Sequence, residues 1–381
     1  MTELKVDNIT NLAGSGKPNF PVQPTVGSNA AISTLNTHEY TSSSTEPSNP
    51  KNGALWWDSG NDKVFVYING EFKEIELNAS AAAAFTWGGD RGVVFGVASS
   101  YNNILYFNIA GSGGGSANFG NLTLSRSTPS AGGSASRVVM GGGYGDASIN
   151  SGRSDVIDYI TPSSTGNATD FGNLTAGRNA LQAVSNGTRC LFASGYTNGQ
   201  GVGHANWTNA IDYVTIASTG NATSFGSLTT YAINFGGTGA GDGTRGLFMG
   251  GIGTTYNYIE YVTYATTGNS ANFGNLIHAM DRNSSCSDAT RSVSFGGGGG
   301  HSPSDKNIEY VTTQTLGNAT DFGDLSNAHS SNGSMSNGTI AIAQTGIHME
   351  KVTIQTTGNA TDFGDLLESR TGNSASSGSP S

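Results

Sequence analysis

Seven aromatic and basic side chains in Gly-rich stretches of this chain have the chemistry to bind a ligand. Aromatic rings stack on the apolar faces of sugars, and polar side chains beside them hydrogen-bond to sugar hydroxyls. Exposed loops also carry such residues by chance, but an exposed indole is the least expected, which makes Trp207 the first residue to mutate. The candidate contacts for a receptor or glycan are Tyr144, Arg153, Tyr196, His204, Trp207, Tyr256 and His301.

Catalytic chemistry has no comparable pattern in this chain. There is no HExxH pair, P-loop, nucleophile elbow, EF-hand loop or Cys/His metal spacing. The six His residues share no repeat position, and we interpret them as isolated surface residues. Asp170, Asp321 and Asp362 recur in one turn and could bind Ca²⁺, but turn capping explains them more simply. We therefore predict no enzyme, no cofactor and no metal site.

A repeat must position the candidate residues. A small-residue turn followed by Phe-Gly occurs six times, at intervals of 41 to 54 residues. The copies centre on Phe119, Phe171, Phe225, Phe273, Phe322 and Phe363. Upstream lie an alternating segment, such as residues 211–215, and before it an Arg-led apolar segment, such as residues 245–251. A further strand joins the Arg-led strand through turns such as Asn186-Gly187, so each repeat predicts four antiparallel strands.

Four strands in a repeat of this length are typical of a β-propeller blade. We predict an all-β fold with a six-bladed β-propeller, because closing the repeats into a ring removes exposed sheet edges. Such a ring usually completes one blade with strands from both ends of the array. Residues 370–381 and residues 85–90 could each supply the first strand beside residues 91–96. In such a ring, the connections between second and third strands and between blades share one face, which gathers the seven candidates.

Composition limits the fold and the partners. With 57 Gly in 381 residues and only 12% charged residues, we expect very little helix. A net charge of −10 and Arg residues spread over the repeats argue against a nucleic acid partner, and these Arg predict structural contacts with recurring acids or turn carbonyls. Cys190 and Cys286 are predicted to be core residues without a disulfide. We expect no signal peptide and no membrane insertion, because no apolar run is long enough.

The strand order of residues 83–381 resembles the kelch repeat. The Gly pair of kelch units is matched at residues 141–142, 250–251 and 296–297, and their third-strand aromatic is matched by Tyr159, Tyr213, Tyr261 and Tyr310. This chain has Phe where kelch units usually carry Trp on the outer strand. The resemblance implies a kelch-like propeller.

The first 82 residues resemble the N-terminal parts of tailed-phage fibre and appendage proteins. Residues 1–30 contain a similar Lys-Val-Asp strand and Gly-Lys-Pro-Asn-Phe turn, and residues 47–76 are similar to a small β module of phage fibres. In that module, residues 64–68 alternate, Asn69-Gly70 forms a turn and residues 72–75 return. One ring of the Trp56-Trp57 pair is expected in the core and the other at a chain interface. The predicted domains are a virion-attachment segment (1–35, with Leu4, Val6, Ile9 and Phe20 as anchoring candidates), a β connector (36–82) and the propeller (83–381).

These resemblances imply a phage virion structural protein, most simply a tail fibre whose propeller loops bind a host receptor or glycan during adsorption. The alternative is a non-adhesive appendage of the tail, neck or capsid that uses the propeller to dock on other proteins. The expected partners are virion tail proteins, through the N-terminal segment, and a host-surface receptor or polysaccharide. A homotrimer is the family expectation, located on the virion tail after synthesis in the host cytoplasm. A polysaccharide depolymerase would need two facing carboxylates, which acids spaced one per repeat do not provide.

Overall fold

The described residues of the computed structural model cover most of the chain. They are 25–26, 30–31, 40–60, 63–75, 89–96, 102–111, 113–145, 152–197, 206–229, 240–251, 257–280, 282–297, 306–328, 333–370 and 374–378. These residues form strands and no α-helix, and none of them builds a helix that could cross a membrane. The chain divides into two compact units, Met1–Ala84 and Phe85–Ser381. The predicted anchoring residues Leu4, Val6, Ile9 and Phe20 lie outside the described residues.

A four-stranded sheet dominates the described part of the first unit. Its strands are β3 (Tyr40–Ser43), β4 (Leu55–Asp58), β5 (Lys63–Ile68) and β6 (Glu71–Ile75), and a separate pair consists of β1 (Thr25–Val26) and β2 (Ala30–Ala31). β3 runs parallel to β4, and the other neighbours are antiparallel. The predicted hairpin is confirmed, since β5 and β6 pair across Asn69 (φ 53°) and Gly70 (φ 91°). Both residues have the left-handed conformation of a two-residue turn.

Trp56 lies in the core of this sheet. It is 6% exposed, its ring stacks on Phe65 at 4.9 Å, and it meets Phe72 edge-on at 5.3 Å. Its Nε1 donates a hydrogen bond to the carbonyl oxygen of Ser43 at 3.1 Å, so the polar end of the indole has a partner. One buried ring of the Trp pair is thus confirmed, whereas the side chain of Trp57 lies outside the described part of the chain.

The described part of the second unit consists of antiparallel sheets that follow one another along the chain. We number them as sheets 1 to 6 in the order of their second strands. Sheet 1 contains β7 (Arg91–Phe95), β8 (Asn103–Asn108), β9 (Ala117–Asn121) and β29 (Ser374–Gly378); sheet 2, β10 (Ser130–Gly133), β11 (Val138–Gly141), β12 (Val156–Ile160) and β13 (Thr169–Asn173); sheet 3, β14 (Gln182–Ser185), β15 (Arg189–Ala193), β16 (Ala210–Thr215) and β17 (Thr223–Ser227).

The remaining sheets repeat this order. Sheet 4 contains β18 (Ala240–Gly241), β19 (Arg245–Met249), β20 (Tyr258–Thr263) and β21 (Ala271–Asn275); sheet 5, β22 (Ser284–Ser287), β23 (Arg291–Phe295), β24 (Asn307–Thr312) and β25 (Thr320–Asp324); sheet 6, β26 (Gly333–Ser336), β27 (Ile340–Thr353) and β28 (Thr361–Arg370). The all-β class and the four-stranded antiparallel unit are therefore confirmed. Each Phe-Gly pair lies on the last strand of its sheet.

Sheet 6 has three strands because β27 is one long element that contains both the second and the third strand of the sheet. The backbone N–H of Ile354 donates to the carbonyl oxygen of Thr339 at 2.9 Å, which matches the bond from Thr313 to Thr290 (2.8 Å) between the second and third strands of sheet 5. Gly346 has φ 56° between the two halves of β27. Residues 340–344 and 347–353 therefore correspond to the second and third strands of the other sheets.

Strand β29 supplies the first strand of sheet 1. It pairs antiparallel with β7, from Ser374 opposite Phe95 to Gly378 opposite Arg91. Of the two segments considered from sequence, residues 370–381 therefore contain the strand that completes this sheet. Residues 85–88 of the other segment lie outside the described residues.

Neighbouring sheets meet at their first strands and in separate apolar layers. β10 contacts β14, and the contacts continue from β14 to β18, β22, β26 and β29, which in turn contacts β10. Each apolar cluster joins two adjacent sheets; for example, Phe171 of sheet 2 packs with Val214 and Ile216 of sheet 3. Cys190 and Cys286 are buried in such layers without a disulfide, as predicted, and burial raises the pKa of both thiols. The core of this unit is therefore a series of thin layers between sheets.

At the Phe-Gly pair, the backbone of one sheet hydrogen-bonds to the backbone of the next. Gly220 of sheet 3 donates its N–H to the carbonyl oxygen of Phe171 in sheet 2 at 2.7 Å, and Asn221 Oδ1 accepts from the N–H of Asn173 at 3.0 Å. A Cβ on Gly172 would lie 2.4 Å from the Gly220 oxygen, so no larger residue fits. The repeated Gly of this pair therefore allows the backbones of two sheets to meet.

The same docking recurs at four other junctions. The N–H of Gly166 donates to Phe119 (2.8 Å), Gly317 to Phe273 (3.0 Å) and Gly358 to Phe322 (2.7 Å). Between the first and last sheets, Gly114 donates to Phe363 at 3.1 Å. Sheets 1 and 6 are thus joined by the contact that joins sheets adjacent in sequence.

Candidate binding site

The connections between second and third strands lie beside the crossovers between sheets. Tyr144, in a connection within sheet 2, exchanges two backbone hydrogen bonds of 2.7 Å with Ser127, in the crossover from sheet 1. In sheet 3, Tyr196 and Asn179 exchange bonds of 2.8 and 3.2 Å. The expected shared face is therefore confirmed at these two sheets. We call it the loop face, and it comprises residues 126–129, 143–145, 152–154, 178–180, 194–197 and 206–209.

Each of these two connections closes as a short hairpin that brings two candidate residues opposite each other. Tyr144 bridges Arg153 in sheet 2, and Tyr196 bridges Trp207 in sheet 3. The hairpins are closed by backbone bonds from Gly145 to Gly152 (2.9 Å), Ser154 to Gly143 (2.8 Å), Thr197 to Asn206 (2.9 Å) and Thr208 to Gly195 (3.0 Å). The backbone thus fixes where the four side chains begin.

The four side chains stack into one row across two sheets. The guanidinium carbon of Arg153 lies 5.9 Å from the ring centre of Tyr144 and 4.3 Å from that of Tyr196. The Tyr196 and Trp207 ring centres are 4.8 Å apart with the planes at 73°, an edge-on contact. We call Tyr144, Arg153, Tyr196 and Trp207 the aromatic ladder. Because Arg153 belongs to sheet 2 and Tyr196 to sheet 3, the ladder crosses the junction between these sheets.

The ladder is held in place and still meets solvent. Tyr144 is 44% exposed, and the other three side chains are half-buried. Each cation–π contact contributes about 0.5–2 kcal/mol, and an aromatic pair about 0.5–1.5 kcal/mol. These contacts reduce the freedom of the four side chains, so the rings have a defined arrangement without any ligand.

The structure therefore brings together four of the seven candidates proposed from sequence. The other three, His204, Tyr256 and His301, lie outside the described residues. Thr128 and Asn179 were not predicted from the sequence; their side chains bond between the two crossovers, with Asn179 Nδ2 donating to Thr128 Oγ1 at 3.2 Å. The only available signal was their position, one or two residues after the recurring Arg126 and Arg178.

Buried ion pairs support the loop face from within. Arg126 lies 3.1 Å from Asp158, and Arg178 lies 2.9 Å from Asp212, with all four side chains at most 2% exposed. Burial lowers the pKa of both guanidinium groups, and the neighbouring carboxylates oppose that shift. A Cβ on Gly143 would lie 3.0 Å from the Arg126 side chain, so the Tyr144 loop rests directly on this arginine. The predicted partnership between recurring Arg and acids is confirmed at these two sites.

The Arg residues that open the second strands hold neighbouring sheets together. Arg137 lies 4.3 Å from the ring centre of Tyr159 and donates to the carbonyl oxygen of Ile216 in the next sheet at 2.9 Å. Equivalent contacts with a third-strand Tyr and a carbonyl of the following sheet are made by Arg91, Arg189, Arg245 and Arg291. These arginines therefore make structural contacts between neighbouring sheets, as predicted from the sequence.

His278 departs from its interpretation as an isolated surface residue. Its Nδ1 lies 2.7 Å from Oε1 of Glu309, whose side chain is 1% exposed. Glu309 also accepts backbone N–H bonds from Ile277 (2.7 Å) and His278 (3.2 Å). Burial raises the pKa of Glu309, and its bonds to His278 and Ile277 limit the rise. The pair joins sheet 5 to the crossover from sheet 4, and Glu309 lies at the strand position that Asp212 occupies in sheet 3.

The first strands surround a small cavity of about 70 Å³ lined mostly by Ala, Gly and Ser. Hydroxyl groups bridge the strands there: Ser185 donates to the carbonyl of Gly133 at 2.9 Å, and Ser377 to that of Ser336 at 2.6 Å. Ligand pockets usually measure about 300 Å³ or more, so this space suits only ordered water. The cavity does not compete with the ladder as a binding site.

No group of three or more His, Cys, Asp or Glu side chains within the described residues is placed to hold a metal ion. No protein-family model matches the chain, and no curated protein matches it.

Proposed function

We propose that the second unit is a closed six-bladed kelch-like β-propeller that binds a receptor or glycan on a host-cell surface as part of a phage tail fibre. The observation that carries the binding role is the aromatic ladder on the loop face. Three rings and one cation, fixed by backbone hairpins and partly open to solvent, suit the stacking and hydrogen bonding by which proteins hold sugars.

Two features support a closed ring. The contacts between first strands continue from sheet to sheet and return from β29 to β10. The docking of a Gly N–H on a Phe carbonyl likewise returns from sheet 1 to sheet 6, through Gly114 and Phe363. A ring also explains why the repeat array needs β29 to complete its first sheet, since closure protects the sheet edges.

The fibre assignment rests on the resemblance of residues 1–82 to phage fibre and appendage proteins. In this proposal the N-terminal segment attaches the chain to other tail proteins, the small β sheet connects, and the propeller is displayed outward as part of a homotrimer. The chain has a net charge of −10, and the arginines that begin the second strands are used in contacts between sheets. Both facts favour a cell-surface ligand that is uncharged or carries both charges over nucleic acid.

The first experiment measures retention of the full-length protein on bacterial cells and on immobilised lipopolysaccharides and capsular polysaccharides. We expect retention on at least one of these surfaces, with Trp207→Ala and Tyr144→Ala each weakening it about tenfold, because each loses a stacking face. The control is Leu316→Ala, which removes an exposed side chain (52%) at the opposite end of the strands. Unchanged binding by both ladder variants would contradict the proposed site.

A second experiment separates adhesion from the structural alternative. Antibodies raised against the full-length protein are used to label intact virions for electron microscopy. Label at the distal ends of tail fibres supports host adhesion, whereas label confined to the neck, tail tube or head, together with no retention on cells, favours a non-adhesive appendage.

A further inference from the structure

We infer that the hydrogen bond between Thr128 and Asn179 sets the spacing of the aromatic ladder, so that these two residues are positioning residues of the binding site. This inference rests on the proposed function for its importance in binding. The positioning of the ladder is inferred from contacts between two crossovers, one leading into sheet 2 and the other into sheet 3.

The two crossovers lie side by side. Asn179 Nδ2 donates to Thr128 Oγ1 at 3.2 Å, and the N–H of Ala180 donates to the carbonyl oxygen of Thr128 at 3.0 Å. Ser127 pairs with Tyr144, and Asn179 pairs with Tyr196. A continuous path therefore runs from Tyr144 through the two crossovers to Tyr196. Ser127 Oγ also donates to the Tyr144 carbonyl oxygen at 3.1 Å on this path, and the Thr128–Asn179 bond is the step in which two side chains bond to each other.

The backbone at this position does not itself require threonine. Thr128, Ala180 and Arg282 occupy the same place in three crossovers and have φ values of 51°, 59° and 59°. Three different side chains thus accept one left-handed conformation, which is least favourable for the β-branched threonine. Because Ala would serve the fold at lower conformational cost, we attribute the hydroxyl at residue 128 to its contact with Asn179.

Asn179 is also a poor choice for stability alone. Its Oδ1 is buried and has no hydrogen-bond partner among the described residues. A buried amide oxygen without a partner reduces stability. The residue is consistent instead with a role in which Nδ2 fixes the distance between crossovers.

The ladder is sensitive to that distance because it spans two sheets. Arg153 approaches the Tyr196 ring to 4.3 Å across the junction, and cation–π attraction is significant only within about 6 Å of a ring centre. A shift of about 1 Å between the crossovers would change how Arg153 contacts the Tyr196 ring, in line with the sensitivity of binding sites to misplacement.

The first test reads the ladder without any ligand. Full-length protein is labelled with 5-fluorotryptophan, and the ¹⁹F resonance of Trp207 is assigned by its loss in Trp207→Phe. Thr128→Ala and Asn179→Ala are expected to shift or broaden this resonance, whereas Thr128→Ser, which keeps the hydroxyl, leaves it unchanged. Ser185→Ala is the matched control, because it removes an inter-sheet hydroxyl bond far from the ladder. A Trp207 resonance that is identical in all variants overturns the inference.

The second test measures binding on whichever cells or polysaccharides retain the wild-type protein. Thr128→Ala and Asn179→Ala should each weaken retention about tenfold, the size of one lost hydrogen bond, and Thr128→Ser should stay near the wild-type value. If Trp207→Ala loses binding but Thr128→Ala and Asn179→Ala do not, the positioning role is wrong and the site stands. If the wild type is retained nowhere, the proposed function fails, and the ¹⁹F spectra still decide whether the bond positions the ladder.

Discussion

Ser194 holds a backbone conformation that the equivalent residues of four other sheets achieve with glycine. The residue after the second strand has a positive φ at Gly96 (75°), Gly142 (71°), Gly250 (86°) and Gly296 (54°), and Ser194 has φ 60°. Ser194 is fully buried, and its Oγ has no hydrogen-bond partner among the described residues. Ser194→Gly should therefore raise the free energy of unfolding by about 1–2 kcal/mol, since it removes both left-handed strain and a buried orphan hydroxyl.

Urea denaturation measures this change. The control is Ser185→Gly, which should lower stability because the Ser185 hydroxyl bonds to Gly133. A loss of stability in Ser194→Gly would mean that the hydroxyl has a partner beyond those described.

Glu309 gives a pH-dependent prediction at the same scale. Burial raises its pKa, so the folded protein binds this proton more tightly than the unfolded chain does. Its contribution to stability is greatest below the unfolded pKa, near 4.5, and is lost as the pH rises through the raised folded value. The unfolding free energy of the wild type should therefore fall as the pH rises above the unfolded pKa. This fall should be smaller in Glu309→Gln, which has no carboxyl group to titrate.

Thermal unfolding between pH 4 and 8 tests this expectation. Glu260→Gln is the matched control, because Glu260 occupies the same place in sheet 4 and bonds to Thr229 and Ser270 instead of a histidine. The same pH profile in wild type and Glu309→Gln would exclude Glu309 as the source.

Residue types could predict part of the binding site. Trp207 and Tyr196 stood out as aromatic residues in Gly-rich loops, and the structure stacks them with Tyr144 and Arg153. The contact between Thr128 and Asn179 could not be predicted, because it joins positions 51 residues apart and follows no periodic pattern. Likewise, nothing in the sequence distinguishes His278 from an ordinary surface histidine, since its partner Glu309 lies on another sheet.

At the level of elements, two glycines meet at the junction between sheets, and only one of them has no room for a side chain. A Cβ on Gly226 of β17 would lie 2.1 Å from the carbonyl oxygen of Gly268, whereas a Cβ on Gly268 would meet nothing within 4 Å. Gly226→Ala should therefore destabilise the protein by about 1–3 kcal/mol or more through overpacking, while Gly268→Ala should be close to neutral. Unfolding free energies of the two variants test this difference, and similar values for both would contradict the docking geometry.

The periodic pattern of the strands allowed the four-stranded unit to be predicted, because alternation, Asn-Gly turns and the Phe-Gly pair all recur in register. Two elements escaped that reasoning. The parallel pairing of β3 and β4 joins segments whose connection carries no crossover signal. The continuous β27 arises where the Gly pair of sheets 2, 4 and 5 is replaced by Gln344 and Thr345, leaving a connection too short to form a loop.

For the whole molecule, β29 is the strand on which sheet 1 depends. Ala375 is fully buried in the apolar layer between sheets 1 and 6. Ala375→Asp should prevent β29 from docking and lower the melting temperature strongly, because it buries a charge without a partner. Leu367→Asp is the control, since Leu367 is 63% exposed and its replacement should change stability by at most about 0.5 kcal/mol. Equal melting temperatures for the two variants would show that β29 is dispensable.

Sequence alone suggested that both ends of the repeat array share one sheet, but it could not choose the strand. Residues 85–90 and 370–381 both have β character, and strand order in a closed sheet is set by long-range packing, which no local pattern encodes. The pairing of Ser374 with Phe95 resolves this choice.

Sheet 1, which contains strands from both ends of the repeat array, can form only late in synthesis. β7 leaves the ribosome long before β29, so the edge of β7 that pairs with β29 stays open while nearly 280 further residues are translated. The other sheets can form as their own strands emerge, but sheet 1 must wait for residue 378. The newborn chain therefore passes through a stage in which this edge of β7 has no partner strand, and conditions that slow translation or crowd ribosomes should favour pairing between neighbouring chains at that edge.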